Sequence, residues 1–201
     1  AAATGWQARV VGGLTKAAAG TLLLTGANSY SGLTTASVGT LTIGKRTALY
    51  NDVASNWTTT NIAVNSGAVL ALGVGANGGG YFAATDIATL LDASHLGAST
   101  PTAGLKTGSV IGFDTTNATG GAFTYNSVIS NPGTALTVGV AKFGVGTLTL
   151  SGNSTYTGTT TVNQGLLILS GTNTGAGTVT LSGGVLRAND GTGLNTGSVL
   201  T

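Results

Sequence analysis

Few residues in this chain are able to do acid–base chemistry. The carboxylates are Asp52, Asp86, Asp92, Asp114 and Asp190, and there is no Glu. Cleaving a polysaccharide takes two or three carboxylates, or a Lys or Arg among carboxylates, gathered on one face. None of the five lies two or four residues from another on a strand-like run. Asp114-Thr115 and Asp190-Gly191 read as turns. Asp86 falls in the first turn of a helical stretch, where a negative charge complements the backbone dipole. His95 is the only histidine, and with no Cys and no clustered acids it builds no zinc site. No Gly-x-Ser-x-Gly nucleophile elbow is present. The glycines from Gly73 to Gly80 are not followed by the Lys-Ser/Thr that a phosphate loop needs. The expectation is a chain with no catalytic residue, no cofactor and no metal, and hence not an enzyme.

The elements that would hold such residues are written into the composition. The chain has 201 residues with 35 Gly, two Pro, no Cys and only 6% charged residues. Glycine lacks the strict period of collagen, and 41% hydrophobic content with little net charge argues against disorder. Thr and Val suit pleated strands, and Gly suits the sharp corners between them. The seven basic residues are scattered apart from Lys45-Arg46, so no patch fits a nucleic acid, and the net charge is only +2. No apolar run is long enough to enter a membrane as a helix.

Internal similarity is the strongest signal, and it has two scales. Residues 16–43 align with 142–169, 126 positions on, matching Lys16 to Lys142, Gly20 to Gly146, Tyr30 to Tyr156, Gly32 to Gly158 and Gly39 to Gly165. Inside each copy a Gly–strand–Gly unit recurs after 19 residues: 20–26 returns at 39–45, and 146–152 returns at 165–171. Within a unit, alternation sends Leu22 and Leu24, or Leu148 and Leu150, to one face and the residue between them to the other. One such strand cannot bury its apolar face alone. Stacking the units as turns of a coil makes the leucines a continuous core, so the chain is expected to be all-β, a parallel β-helix with one short helical insertion. Tyr30 and Tyr156, each just before a Gly, read as corner residues covering the core edge. Asn28 and Asn153 in the same corners are expected to bond along the coil.

Two related halves, about 1–72 and 128–201, are joined by 73–127. Residues 62–72 still look like the repeat, and 110–113 and 123–129 resume strand-like runs. A helix is expected at about 83–96, capped by Thr85, ended by Gly97 and carrying His95 in its last turn.

Together these residues resemble the autotransporter-associated β-strand repeat, also called the passenger-associated transport repeat. Its pattern runs Leu-Thr-Lys, a Gly pair, Thr-Leu-x-Leu-x-Gly, Asn-x-Tyr-x-Gly-x-Thr-x-Val, then Gly-x-Leu. Leu14-Thr15-Lys16 through Ile43, and Lys142 through Leu169, match it; Ala18 departs, standing where Gly is common. The resemblance implies a parallel β-helix exported across the outer membrane, secreted or displayed on the cell surface, with the repeat serving folding and secretion.

Two functional expectations follow. The first is a structural module of a bacterial surface stalk or extracellular fibre. It would associate head to tail, because Gly193 to Leu200 repeats Gly104 to Ile111 at six of eight positions. The second is an adhesin binding glycan through Trp57, Tyr81 and Tyr125.

Overall fold

The structure is a computed structural model that describes residues 12–133, 135–175, 177–189 and 194. Apart from Leu194, the expected end-joining segment lies outside that set, as do Asp190 and the residues before Gly12. The short alternating runs form strands β1 Leu14–Lys16, β2 Thr21–Leu24, β3 Thr34–Ala36, β4 Thr40–Ile43, β5 Ile62–Val64, β6 Val69–Gly73, β7 Gly104–Leu105, β8 Ser109–Asp114, β9 Ala122–Tyr125, β10 Val138–Phe143, β11 Thr147–Leu150, β12 Thr160–Val162, β13 Leu166–Leu169, β14 Val179–Leu181 and β15 Val185–Ala188. They make three sheets in which every strand pairs parallel with its neighbours: β1-β3-β5-β7, then β2-β4-β6-β8-β10-β12-β14, then β9-β11-β13-β15. The molecule is a parallel β-helix.

Register shows how the core is stacked. Leu22, Leu41, Leu70, Ile111, Val140, Thr160 and Val179 form one column across the second sheet. Phe123, Leu148, Leu167 and Leu186 form one across the third. The leucines between the ends are fully buried, and each buried side chain of this size is worth about 1.5–3 kcal/mol. The 19-residue unit is one rung in both copies: Thr21 pairs with Thr40, and Thr147 pairs with Leu166.

The sequence alignment of the two copies is not their spatial alignment. In the first copy the Leu14–Lys16 strand lies in the first sheet; its counterpart in the second copy, within β10, lies in the second sheet. The second copy is therefore rotated by one face around the coil. The shift is made by a single turn, β7-β8-β9, which places a strand in all three sheets. That turn falls inside 73–127, so this stretch is part of the coil and sets its phase.

Two rungs are expanded. Thr40 pairs with Val69 and Val69 with Val110, and the extra residues occupy 44–61 and 74–103. They bring Leu49, Tyr50, Trp57, Phe82, Ile87, Leu90 and Leu96 into the core. The helix, α1, is shorter than expected, spanning Ala84–Leu90. Asp92 ends it, because its carboxylate accepts from the Ser94 N–H at 2.7 Å and faces His95 Nδ1 at 2.8 Å, a local turn that competes with helix. His95 thus stands outside α1, and Gly97 lies in a separate short 3-10 turn, Leu96–Ala98. Thr85 does not cap; instead Asp86 accepts from the Ala83 N–H at 2.8 Å.

Glycine sets how closely the rungs approach. Gly165 has φ +70°, and a Cβ there would stand 2.4 Å from the carbonyl oxygen of Gly146 on the rung before. Gly120 has a similar φ of +65° with no atom within 4 Å. Gly165→Ala is expected to destabilise by about 3 kcal/mol or more, and Gly120→Ala only by the left-handed strain of about 1–2 kcal/mol. Urea denaturation of both variants checks the difference.

Candidate functional site

Lys142 is a heavily bonded polar group of the core. Its column in the second sheet is otherwise apolar, with Phe113 and Val162 on either side, and the residue is 0% exposed. The aliphatic stem runs inside the coil to the corner after β10. There Nζ donates to the carbonyls of Phe143 (2.7 Å), Gly144 (2.6 Å) and Gln164 (3.1 Å) and to the Thr115 hydroxyl (2.8 Å). One ammonium thus ties three successive rungs. Lys16, its counterpart, repeats the arrangement, donating to the carbonyls of Ala18, Ala19 (3.5 Å) and Val38 (3.1 Å). The corners differ as Ala18 foretells: Gly144 adopts φ +76° where the first copy has Ala18, and there the left-handed residue is Gly20, at φ +84°. The matching lysines were visible in the sequence, but their inward direction was not.

The other repeat residues also bond along the coil. Tyr30 and Tyr156 place their hydroxyls 2.8 and 2.7 Å from those of Thr34 and Thr160, which open the following strands. The Tyr156 ring is buried, and burial pushes its hydroxyl above the usual tyrosine range. Gly32 and Gly158 sit against the preceding rung, where a Cβ would come 2.6 Å from Gly13 N and 2.5 Å from Gly139 N. Asn28 donates to the Ala48 carbonyl at 3.0 Å, and Asn153 accepts from the Thr172 N–H at 3.1 Å.

Of the expected glycan contacts, Trp57 and Tyr125 are corrected. Each is 1% exposed. Trp57 packs on Phe82 with centroids 5.6 Å apart and donates its indole N–H to the Leu49 carbonyl at 3.3 Å. Tyr125 packs on Phe113 at 5.6 Å, and burial pushes its hydroxyl up to about 12. Alternation along β9 and the expanded rung turn both rings inward, leaving no face for a sugar. Tyr81 alone remains at the surface, in an open groove.

Among the described residues each carboxylate has a partner. Arg46 bridges Asp52 (3.3 Å) and Asp86 (3.2 Å), which the sequence held 34 residues apart. This triad joins the start of α1 to a turn in which Tyr50, Asn51 and Asp52 all have positive φ, between 52° and 63°. The Tyr50 hydroxyl secures that turn, accepting from the Thr34 N–H at 3.0 Å and donating toward the carbonyls of Gly32 (3.0 Å) and Asn61. Asp92 faces His95, and that hydrogen bond holds its carboxyl below the usual range. Asp114 accepts from the N–H and hydroxyl of Thr116 at 3.0 and 2.6 Å. Among the described residues no three of His, Cys, Asp and Glu gather as metal ligands. No helix among them is long and apolar enough to cross a membrane.

Replacing Lys142 by Met leaves its buried acceptors without a donor, each costing about 1–3 kcal/mol. The variant is expected to lose about 2–4 kcal/mol by urea denaturation, and Lys16→Met less, since its corner is less enclosed. Desolvation lowers the Lys142 ammonium to about 8 from 10.5, offset in part by the charge of Asp114. Above about pH 8 the folded protein releases this proton while the unfolded chain keeps it up to 10.5, so the unfolded state binds more protons. Stability is therefore expected to rise with pH from about 8 toward 10, where the raised buried tyrosines begin to act in the opposite sense. In Lys142→Met the rise is expected to vanish.

Comparison with known proteins fits this geometry. No curated protein and no solved structure matches the chain. The profile of the passenger-associated-transport-repeat family matches residues 14–43, 140–167 and 165–188. These are the rungs that carry the lysine corners, the tyrosine–threonine contacts and the stacked glycines. Over those three segments the chain carries the passenger-associated transport repeat.

Proposed function

We propose that this chain is a structural module of a secreted bacterial cell-surface stalk or extracellular fibre, and not an enzyme. The repeat it carries is that of exported passengers, which supports a secreted or surface location. The observation that carries the proposal is the second sheet: seven strands run parallel through both copies, with no reversal among the described residues. A coil of this kind lengthens by adding rungs. Its polar side chains are spent on bonds between rungs, as at Lys16, Lys142, Asn28 and Asn153. The carboxylates of Asp52 and Asp86 are held in ion pairs, which supports a scaffold in place of an acid–base pair.

Head-to-tail extension rests on the sequence match between 193–200 and 104–111. The internal member of that match forms β7 and the start of β8, the turn that carries the coil from one phase to the next. In that match Leu200 aligns with Ile111, a fully buried core residue. Addition of a further chain would lengthen the coil by further rungs.

The purified chain is expected to form end-to-end filaments in negative-stain electron microscopy, with a length distribution that grows with concentration. Leu200→Lys is expected to abolish them while circular dichroism stays unchanged. Monomeric particles at every concentration would sink the noncovalent form of the proposal.

A further inference from the structure

Tyr81 lines a groove that the stalk reading leaves without a role. The groove has a cavity volume of about 220 Å³ and is open on one side. It runs across the corners that follow four consecutive strands of the second sheet. Thr25 comes from the corner after β2, Gly44 and Lys45 from that after β4, Gly73 from the end of β6, and Asp114, Thr116 and Asn117 from the end of β8. Four rungs spaced about 4.8 Å apart give it a length of about 14 Å.

Its floor is bare backbone. A Cβ on Gly73 would stand 2.5 Å from the Gly44 carbonyl oxygen, so neither rung carries a side chain there. One wall is aromatic. The Tyr81 ring lies on Gly79, where a Cβ would come 2.8 Å from Cδ2 and Cε2, and Lys45 Nζ stands 5.5 Å from the ring centroid. Leu23, 56% exposed, forms a lip. The polar groups line the groove, and the Lys45 ammonium lies over the Tyr81 ring. Among the described residues the Lys45 ammonium, the Tyr81 hydroxyl and the Asn117 amide have no hydrogen-bond or ion-pair partner. Asp114 has only Oδ1 engaged, by Thr116.

This inventory selects a ligand class. An anion would meet Asp114 and a cation would meet Lys45, so the balanced pair disfavours both. A flat apolar molecule would leave four polar groups desolvated and unpaired. A neutral sugar uses all of them: its C–H face takes the place of the Lys45 ammonium over the aromatic ring, and its adjacent hydroxyls donate to a carboxylate and accept from an amide and from the displaced ammonium. The elongated shape across four rungs fits a chain of sugars better than a single one. We propose that this groove is a binding site for a short neutral oligosaccharide, with Tyr81 as the stacking platform and Lys45, Asp114 and Asn117 as hydroxyl partners. The site stands independently of the stalk reading, since a stalk and a monomer expose the same groove.

The test is amide-resolved NMR titration of the whole chain with cellotriose, maltotriose and triacetylchitotriose, each taken to millimolar concentration. Saturable shifts are expected for at least one sugar, centred on Gly44, Lys45, Gly73, Gly79 and Asn117. Tyr81→Ala and Asn117→Ala are each expected to weaken binding about tenfold or more, the equivalent of one lost stacking or hydrogen-bond contact. The proposal is overturned by the absence of a saturable shift with all three sugars, by shifts centred elsewhere on the coil, or by unchanged affinity in the variants. Should Tyr81→Ala give an unfolded spectrum, Asn117→Ala decides alone.

Discussion

Parallel hydrogen bonding from rung to rung is the constraint from which the rest of this structure follows. Each strand must find a neighbour about 4.8 Å above and below it, along the whole coil. Corners must then approach as closely as strands do, and a side chain at the wrong corner blocks the stack. Gly32, Gly158 and Gly165 sit where a Cβ would press into the backbone of the rung before. The corner carbonyls created by each sharp turn are drawn away from water, so they require donors from inside. The lysine of the repeat supplies them.

Burying an ammonium is costly unless it is fully bonded. At Lys142 the offset comes from four acceptors on three rungs, which makes the corner dependent on its neighbours being in register. A slip of one rung would remove Gln164 and Thr115 together and leave the ammonium with only the Phe143 and Gly144 carbonyls of its own corner. The lysine therefore acts for specificity as much as for stability, favouring one stacking register over others that would bury similar leucines. The same logic explains why the polar residues of the repeat are Asn, Thr and Tyr at corners: each bonds to the adjacent rung, and few remain to do chemistry.

The expanded rungs break this economy locally. Residues 44–61 and 74–103 add a second layer of aromatic and aliphatic side chains, held by the Arg46 triad and by the left-handed turn at 50–52. Where these additions meet the end of β8, the surface is concave and Lys45, Tyr81 and Asn117 carry polar groups without hydrogen-bond partners among the described residues. The pocket on the regular rungs, between Tyr156 and Asn173, is far smaller. A groove arises here for the same reason that the repeat pattern fails here.

Much of this was legible in the sequence. The 19-residue unit, the inward leucines and the parallel coil follow from a period-two pattern repeated at a fixed offset, since local alternation and stacking are properties of the chain itself. The structural character of Asp114, Asn28 and Asn153 was legible too, because their partners lie on the same corner or one rung away. Other features depended on distant segments. Trp57 and Tyr125 looked available to a ligand, and only the packing of Phe82 and Phe113 against them placed both in the core. The helix pattern ran to residue 96, yet a side-chain turn at Asp92 ended it early. The sequence aligned the two copies residue by residue, and the tertiary structure set them one face apart. A repeat specifies how each rung meets the next, but its position around the axis is set by the length of what intervenes. The turn β7-β8-β9 decided that, and it brought Tyr81, Lys45, Asp114 and Asn117 to one groove.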